Sequence, residues 1–276
     1  MPLTRRLFLA GSAGATLLAA ACGGSSGGST ATGDVLVNFF ADGNQVVGAQ
    51  RLPVGIATAG GVVRTDGPAS LSGRVVDVGG RVVVPKIDAA RRGVGLPRSY
   101  YAFNLALDQP GTYSLEVGKA TTTFSVLEAA KVDLPKPGDK LPALDTPTLA
   151  NARGVKPLCT ANPVCPFHSI TVTEALALGK PLALLVGTPA HCKTAVCGPT
   201  LEMLMAEQIR RGDSFSMIHV EVYKDDTIND ITDTMLALRM KFEPALFVVD
   251  RGGIIRTRLD HVWDSGEMNA ALDQVK

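Results

Sequence analysis

The sequence predicts two folded units in series, an all-β sandwich followed by an α/β unit, joined by a proline-rich connection. Three observations carry this reading. Seven short β-rich runs lie within residues 34–127, with no helical period among them. Four prolines at 135, 137, 142 and 147 keep the next stretch extended. After residue 169, apolar runs of strand length alternate with stripes at helical spacing. The 276 residues suffice for two domains at ~100–200 residues each. With 46% apolar and 19% charged residues the chain has the means for a core, and wholesale disorder is excluded. Lys+Arg against Asp+Glu is 27 − 26 = +1, so there is no electrostatic case for nucleic acid. Past the first 21 residues no apolar run approaches the ~20 needed to cross a bilayer, which excludes a polytopic membrane protein.

Residues 1–33 read as an address and a tether. Met1–Ala21 has a charged start, a short apolar middle and small residues at its end, the make-up of an export signal. Arg5-Arg6-Leu7-Phe8-Leu9 resembles the twin-arginine signal, which delivers folded protein. Leu18-Ala19-Ala20-Ala21-Cys22 resembles a bacterial lipobox. That resemblance implies acylation of Cys22, Gly23–Gly33 as a flexible tether, and a place on the extracytoplasmic face of the cell membrane. Removing residues 1–21 takes away Arg5 and Arg6, leaving 25 − 26 = −1, so the lipid rather than a basic surface would hold the bilayer.

The β-rich runs are Val35–Phe40, Arg51–Ala57, Leu71–Val78, Arg81–Ile87, Ser99–Leu107, Thr112–Val117 and Thr121–Leu127, with reversals at Gly79-Gly80 and Gly118-Lys119. Seven strands at this spacing suit an antiparallel sandwich. Asp108-Gln109-Pro110-Gly111-Thr112-Tyr113 resembles the turn and tyrosine of immunoglobulin-like folds, where the phenol bonds back to the backbone. No cluster of catalytic residue types lies in this segment, which reads as a spacer or recognition module.

Four cysteines remain once Cys22 is set aside: Cys159, Cys165, Cys192 and Cys197. In an exported protein an even number suggests two disulfides with three possible connectivities, of which the two local pairs are the most economical. Within the connection at 128–168, Asn162-Pro163 is a turn signal that could let Cys159 and Cys165 meet as a structural disulfide. The alternative there is a Cys-x5-Cys-x2-His metal half-site ending at His168, which lacks an evident second half. No metal and no cofactor are expected. His168, His191, His219 and His261 read individually as surface or core residues.

From residue 169 the elements run helix (Thr173–Leu178), strand (Pro181–Val186), helix (Leu201–Arg210), strand (Phe215–Tyr223), helix (Thr227–Met240), then a hairpin of Ala245–Val249 and Ile254–Arg258. Asp264-Ser265-Gly266-Glu267 has capping-box spacing and opens a last helix to Val275. Cys197-Gly198-Pro199, with Thr200 in place of a second cysteine, and Glu243-Pro244-Ala245-Leu246-Phe247 resemble thioredoxin-like domains. The stretch Pro137–Pro142 resembles the opening of exported redoxin domains. Together with Cys165-Pro166-Phe167-His168, Thr188-Pro189-Ala190-His191-Cys192 and His219-Val220-Glu221-Val222-Tyr223, the chain resembles the thioredoxin-domain lipoproteins of actinobacteria. The resemblance implies a thioredoxin-like fold for residues 169–276 after an immunoglobulin-like sandwich, and a cis proline at Pro244 beside the reactive cysteines.

Thiol–disulfide exchange at Cys192 and Cys197 follows as the expected activity, with exported protein thiols or a membrane redox partner as substrates. In an unbroken helix, cysteines five apart would hold their α-carbons ~8–9 Å apart, whereas a disulfide needs them within ~7 Å. A Cys192–Cys197 bond therefore requires Lys193–Val196 to be non-helical, with a helix starting near Gly198-Pro199. Cys197 would then face the free amides of that turn as the lower-pKa thiol, with Lys193 nearby and Cys192 as its resolving partner. The strand Pro181–Val186 carries no acid; Glu221 or His219, on one face of the Phe215–Tyr223 strand, could substitute as proton acceptor, the plainer reading being a solvated or capped edge. The competing reading is a non-catalytic binding or scaffold lipoprotein with structural disulfides. Two further resemblances fit less well. Thr194-Ala195-Val196-Cys197 has the peroxiredoxin spacing, but Pro189 is one residue too far upstream and Pro244 stands where those enzymes carry an arginine. Copper-delivery proteins need Cys-x3-Cys and an earlier histidine, whereas here four residues separate the cysteines and His261 follows the hairpin.

Overall fold

The computed structural model describes residues 33–40 and 43–275. The export signal, Cys22 and nearly all of the tether lie outside the described residues. The first sheet holds β1 (Val35–Asn38), β2 (Gln45–Val46), β3 (Gly48–Ala57), β4 (Ser70–Asp77), β5 (Val82–Arg92), β6 (Tyr100–Leu107), β7 (Gly111–Val117) and β8 (Ala120–Leu127). Their order is β1-β3-β6-β5-β4-β7-β8-β2. Tyr113 and Leu115 on β7, and Phe124 and Val126 on β8, alternate into the core as a pleated strand requires. The sheet curls until Thr122 of β8 donates its hydroxyl to Asn38 Oδ1 of β1 at 2.6 Å.

The second sheet follows the proline-rich connection. Its elements are α1 (Val172–Ala177), β9 (Leu182–Val186), α2 (Cys197–Arg211), β10 (Ser216–Val220), α3 (Asp233–Ala237), β11 (Ala245–Val249), β12 (Ile255–Asp260) and α4 (Ser265–Asp273). The strand order is β10-β9-β11-β12, with β10 and β9 parallel and the other pairs antiparallel. β9, β10 and β11 are buried at every position, because apolar clusters cover both faces of the sheet. That is why they read as continuous apolar runs rather than alternating ones. The connection is laid along β12: Gly138 donates to Ile255 O at 2.8 Å, Ile255 to Asp139 O at 2.9 Å and Leu141 to Gly253 O at 2.9 Å. It thereby covers a sheet edge that would otherwise present unpaired amides and carbonyls.

The expected immunoglobulin-like sandwich followed by an α/β thioredoxin-like fold is overturned. The molecule is mostly β, with one large curled eight-stranded mixed sheet, a small four-stranded mixed sheet and few helices. In the first sheet the reason lies in β5. Its first residues pair with β4 while Arg91 and Arg92 pair with Tyr101 and Tyr100 of β6, so one bent strand carries the sheet round instead of letting it divide in two. β2, which had no sequence signal, closes the far edge in parallel with β8. The local turn expected at Tyr113 is present, its hydroxyl donating to Gln109 O at 2.8 Å, but it does not bring the sandwich with it. In the second sheet the helices are short. The helix expected over Thr227–Met240 shrinks to α3, five residues long. Asp225 Oδ1 captures the Thr227 amide at 2.9 Å, and Ile228 and Arg239 take positive φ of 55° and 56°. A side chain that satisfies its own neighbours' amides offers the backbone an alternative to helix.

The two sheets are clamped by a polar group. Arg51 on β3 forks onto Glu267 of α4, Nε to Oε1 at 2.8 Å and NH2 to Oε2 at 2.6 Å, and also donates to Val262 O at 2.6 Å. The Tyr100 hydroxyl of β6 donates to Glu267 Oε2 and accepts the Asp264 amide at 2.8 Å. Asp264 caps α4 by accepting the Glu267 amide at 3.0 Å. The expected capping box is thus half formed, because the Glu267 carboxylate is spent on Arg51 and Tyr100.

Candidate functional site

Cys192 and Cys197 form a disulfide with their α-carbons 6.0 Å apart. Residues 193–196 are non-helical and α2 begins at Cys197, as that bond requires. Ala195 turns the loop with a positive φ of 57°. The Cys197 sulfur is buried with its residue, 1% exposed, whereas Cys192 is half-buried. The Cys197 amide donates to Cys192 Sγ at 3.4 Å. This amide is one of the donors that the first turn of a helix leaves without an intrahelical partner. The helix end therefore serves the sulfur of Cys192, opposite to the expected assignment, which gave Cys197 the stabilised thiolate.

A carboxyl group stands behind the buried sulfur. Glu243 Oε2 lies 3.6 Å from Cys197 Sγ and accepts the Thr188 amide at 2.6 Å. Burial pushes the Glu243 carboxyl above the ordinary glutamate value, against the Thr188 amide, and nearby Glu221 adds to the rise. The Glu243–Pro244 peptide is cis, as expected at Pro244. Gly187 sits between this proline and the disulfide. A β-carbon there would come within 3.3 Å of Pro244 Cβ and 3.6 Å of both Cβ and Sγ of Cys197.

On the other side of Gly187 lies a second cluster. The Cys159–Cys165 disulfide expected from the local spacing is absent, and both thiols are free and buried. They face two imidazoles. Cys165 Sγ is 3.2 Å from His168 Nε2 and 3.5 Å from His219 Nδ1, and Cys159 Sγ is 3.8 Å from the same His219 nitrogen. The four ligand atoms all lie within 4.8 Å of one another. His219, on β10, donates its other nitrogen, Nε2, to Gly187 O at 2.8 Å. Burial alone would lower the His219 pKa, but the Cys159 sulfur and the Glu221 carboxylate outweigh it and the value is raised. The Cys165 thiol holds the Cys159 sulfur well below the usual thiol range, and the same pairing pushes Cys165 up. Glu221 is fixed by the Thr160 amide, which donates to Oε1 at 2.7 Å, and burial raises its pKa.

Comparison of the chain with protein-family models and with curated proteins returns no match. It is a disulfide-bearing protein.

The structure brings Cys192, Cys197 and Pro244 together. The acid beside them is Glu243, with its Oε2 3.6 Å from Cys197 Sγ, in the place where Glu221 or His219 was expected. Its only sequence signal was its place next to Pro244. The half-site of Cys159, Cys165 and His168, for which the sequence offered no second half, is joined by His219 in one cluster. His191 instead pairs with Asp226 at 3.0 Å, and His261 stacks on Phe242 with its pKa lowered by burial.

Proposed function

We propose that the chain is a thiol–disulfide oxidoreductase whose reactive pair is Cys192 and Cys197, lipid-anchored through Cys22 on the extracytoplasmic face of a membrane. The observation that carries the reading is an asymmetric pair: the accessible sulfur takes a helix-end amide and the buried one lies against a carboxyl. A thiolate of an exported protein or of a membrane redox partner attacks Cys192 Sγ. The Cys192–Cys197 bond breaks, a mixed disulfide forms at Cys192, and Cys197 leaves with the electron pair. Glu243, held toward its acid form by burial, gives Cys197 a proton. A second substrate thiolate then attacks the substrate sulfur of the mixed disulfide, and Cys192 leaves as a thiolate facing the Cys197 amide. The substrate dithiol is oxidised and the protein pair reduced. Run in reverse, Cys192 attacks a substrate disulfide and Glu243 takes the proton from Cys197 as it resolves the intermediate.

The test is equilibration of the intact chain in glutathione buffers, with the Cys192–Cys197 state read by alkylation and mass. A potential between about −120 and −270 mV, with turnover of a dithiol peptide, is expected; a value below about −300 mV marks a purely structural bond and a non-catalytic scaffold. Cys192→Ser is expected to abolish turnover and Cys197→Ser to trap the mixed disulfide. The anchor is tested separately, by fatty-acid labelling that Cys22→Ser removes.

A further inference from the structure

We infer that Cys159, Cys165, His168 and His219 form a closed, four-coordinate site for a divalent metal ion of the zinc class. With metal–sulfur bonds near 2.3 Å and metal–nitrogen bonds near 2.0–2.1 Å, a tetrahedron has sulfur-to-nitrogen edges of about 3.5–3.6 Å. Three of the four such separations, 3.2, 3.5 and 3.8 Å, straddle that value, and the fourth lies within 4.8 Å. All four residues are at least 95% buried, with Cys159 at 5% and the two histidines at 1% exposure. Two sulfurs and two imidazoles gathered away from water are poorly matched as hydrogen-bond partners, because a thiol is a weak donor and acceptor. A cation satisfies them together, and two thiolates cancel its charge.

The second shell points the same way. His219 Nε2 donates to Gly187 O at 2.8 Å, which leaves the neutral ring's lone pair on Nδ1, aimed at both sulfurs. Fixing a ligand tautomer through a backbone carbonyl is how metal-bound histidines are oriented. The donor set, two sulfurs and two nitrogens, suits zinc over calcium or magnesium. With four protein ligands and no exposed position, the site is structural: it ties the loop at 159–168 to β10. The same loop holds Thr160, whose Oγ1 accepts the Ala190 amide at 3.1 Å two residues before Cys192.

The test uses the intact chain, mildly reduced and equilibrated with Co2+ without oxygen, then with Zn2+. One Co2+ per chain is expected, with the visible bands of four-coordinate cobalt and a near-ultraviolet thiolate charge-transfer band, both bleached by Zn2+. The double variant Cys192→Ser/Cys197→Ser keeps the spectrum, which separates this site from the disulfide pair. His168→Gln weakens Co2+ binding by at least ~100-fold, the upper end of what loss of a supporting contact alone costs. Substoichiometric binding, an octahedral cobalt spectrum, or undiminished binding by His168→Gln overturns the inference. So does a Cys159–Cys165 disulfide mapped in protein isolated without reductant. Should the variant fail to fold, the wild-type stoichiometry and spectrum decide the matter alone.

Discussion

Glu243 shows how one carboxyl couples protonation to both stability and chemistry. Its folded pKa is raised, so the folded state favours the acid form. The stabilisation is complete below the ordinary value of 4.5 and is lost as pH rises through the folded value. Glu243→Gln removes that loss. The melting temperature of the oxidised variant relative to wild type is therefore expected to climb as pH rises from about 4 toward neutrality. The same variant is expected to resolve mixed disulfides more slowly, since Cys197 loses its proton acceptor; stopped-flow release of a labelled peptide across pH reads this directly. Equal pH profiles for the two proteins would remove Glu243 from the reaction. The sequence made Cys192, Cys197 and Pro244 legible because local chemistry marks them: a sulfur pair, a helix start and a proline ahead of an apolar strand. The role of Glu243 and the meeting of His219 with the cysteine cluster were opaque. Their partners lie far along the chain, and only the packing of β10 and β11 against β9 brings them near.

Among the elements, the short turn after β9 is the most constrained. Pro244 at the head of β11 and Cys197 in the first turn of α2 are both buried, so neither has room to retreat from a new methyl group at Gly187. Gly187→Ala is expected to cost about 1–3 kcal/mol, the range for overpacking a tight interior, measured by denaturant unfolding. Loss of a few tenths or less would mean that the turn yields. Element positions were legible where a local signal existed. All seven β-rich runs are strands, and the Asp264 cap opens a helix. Pairing was not legible, because alternation tells a strand which face to bury but not which neighbour to join. β5 bending from β4 to β6, and β2 joining β8 in parallel, are decided by contacts between distant segments.

At the scale of the molecule, the Arg51–Glu267 fork with Tyr100 joins the two sheets, with side chains 17% and 10% exposed. Removing one partner of a buried pair leaves the other charge uncompensated, so Arg51→Ala is expected to cost about 3–5 kcal/mol. Burial alone would raise the Glu267 pKa, but Arg51 outweighs it and the value is lowered. A depressed carboxyl stabilises above its ordinary value of 4.5 and loses that contribution as pH falls through the folded value. Wild type and Arg51→Ala should therefore converge in stability in acid, as read by urea midpoints below pH 4.5 and at neutrality. A gap that stays constant with pH would deny the ionic origin of the clamp.

The half-buried Cys192 packs against a cluster drawn from both sheets, with Phe39, Leu96, Tyr100 and Ala102 on one side and Val196 and Val262 on the other. Its sulfur thus sits at a seam. Flexing between the two halves would change how far that atom is shielded, so the rate at which the bond is reduced would gauge the molecule's posture.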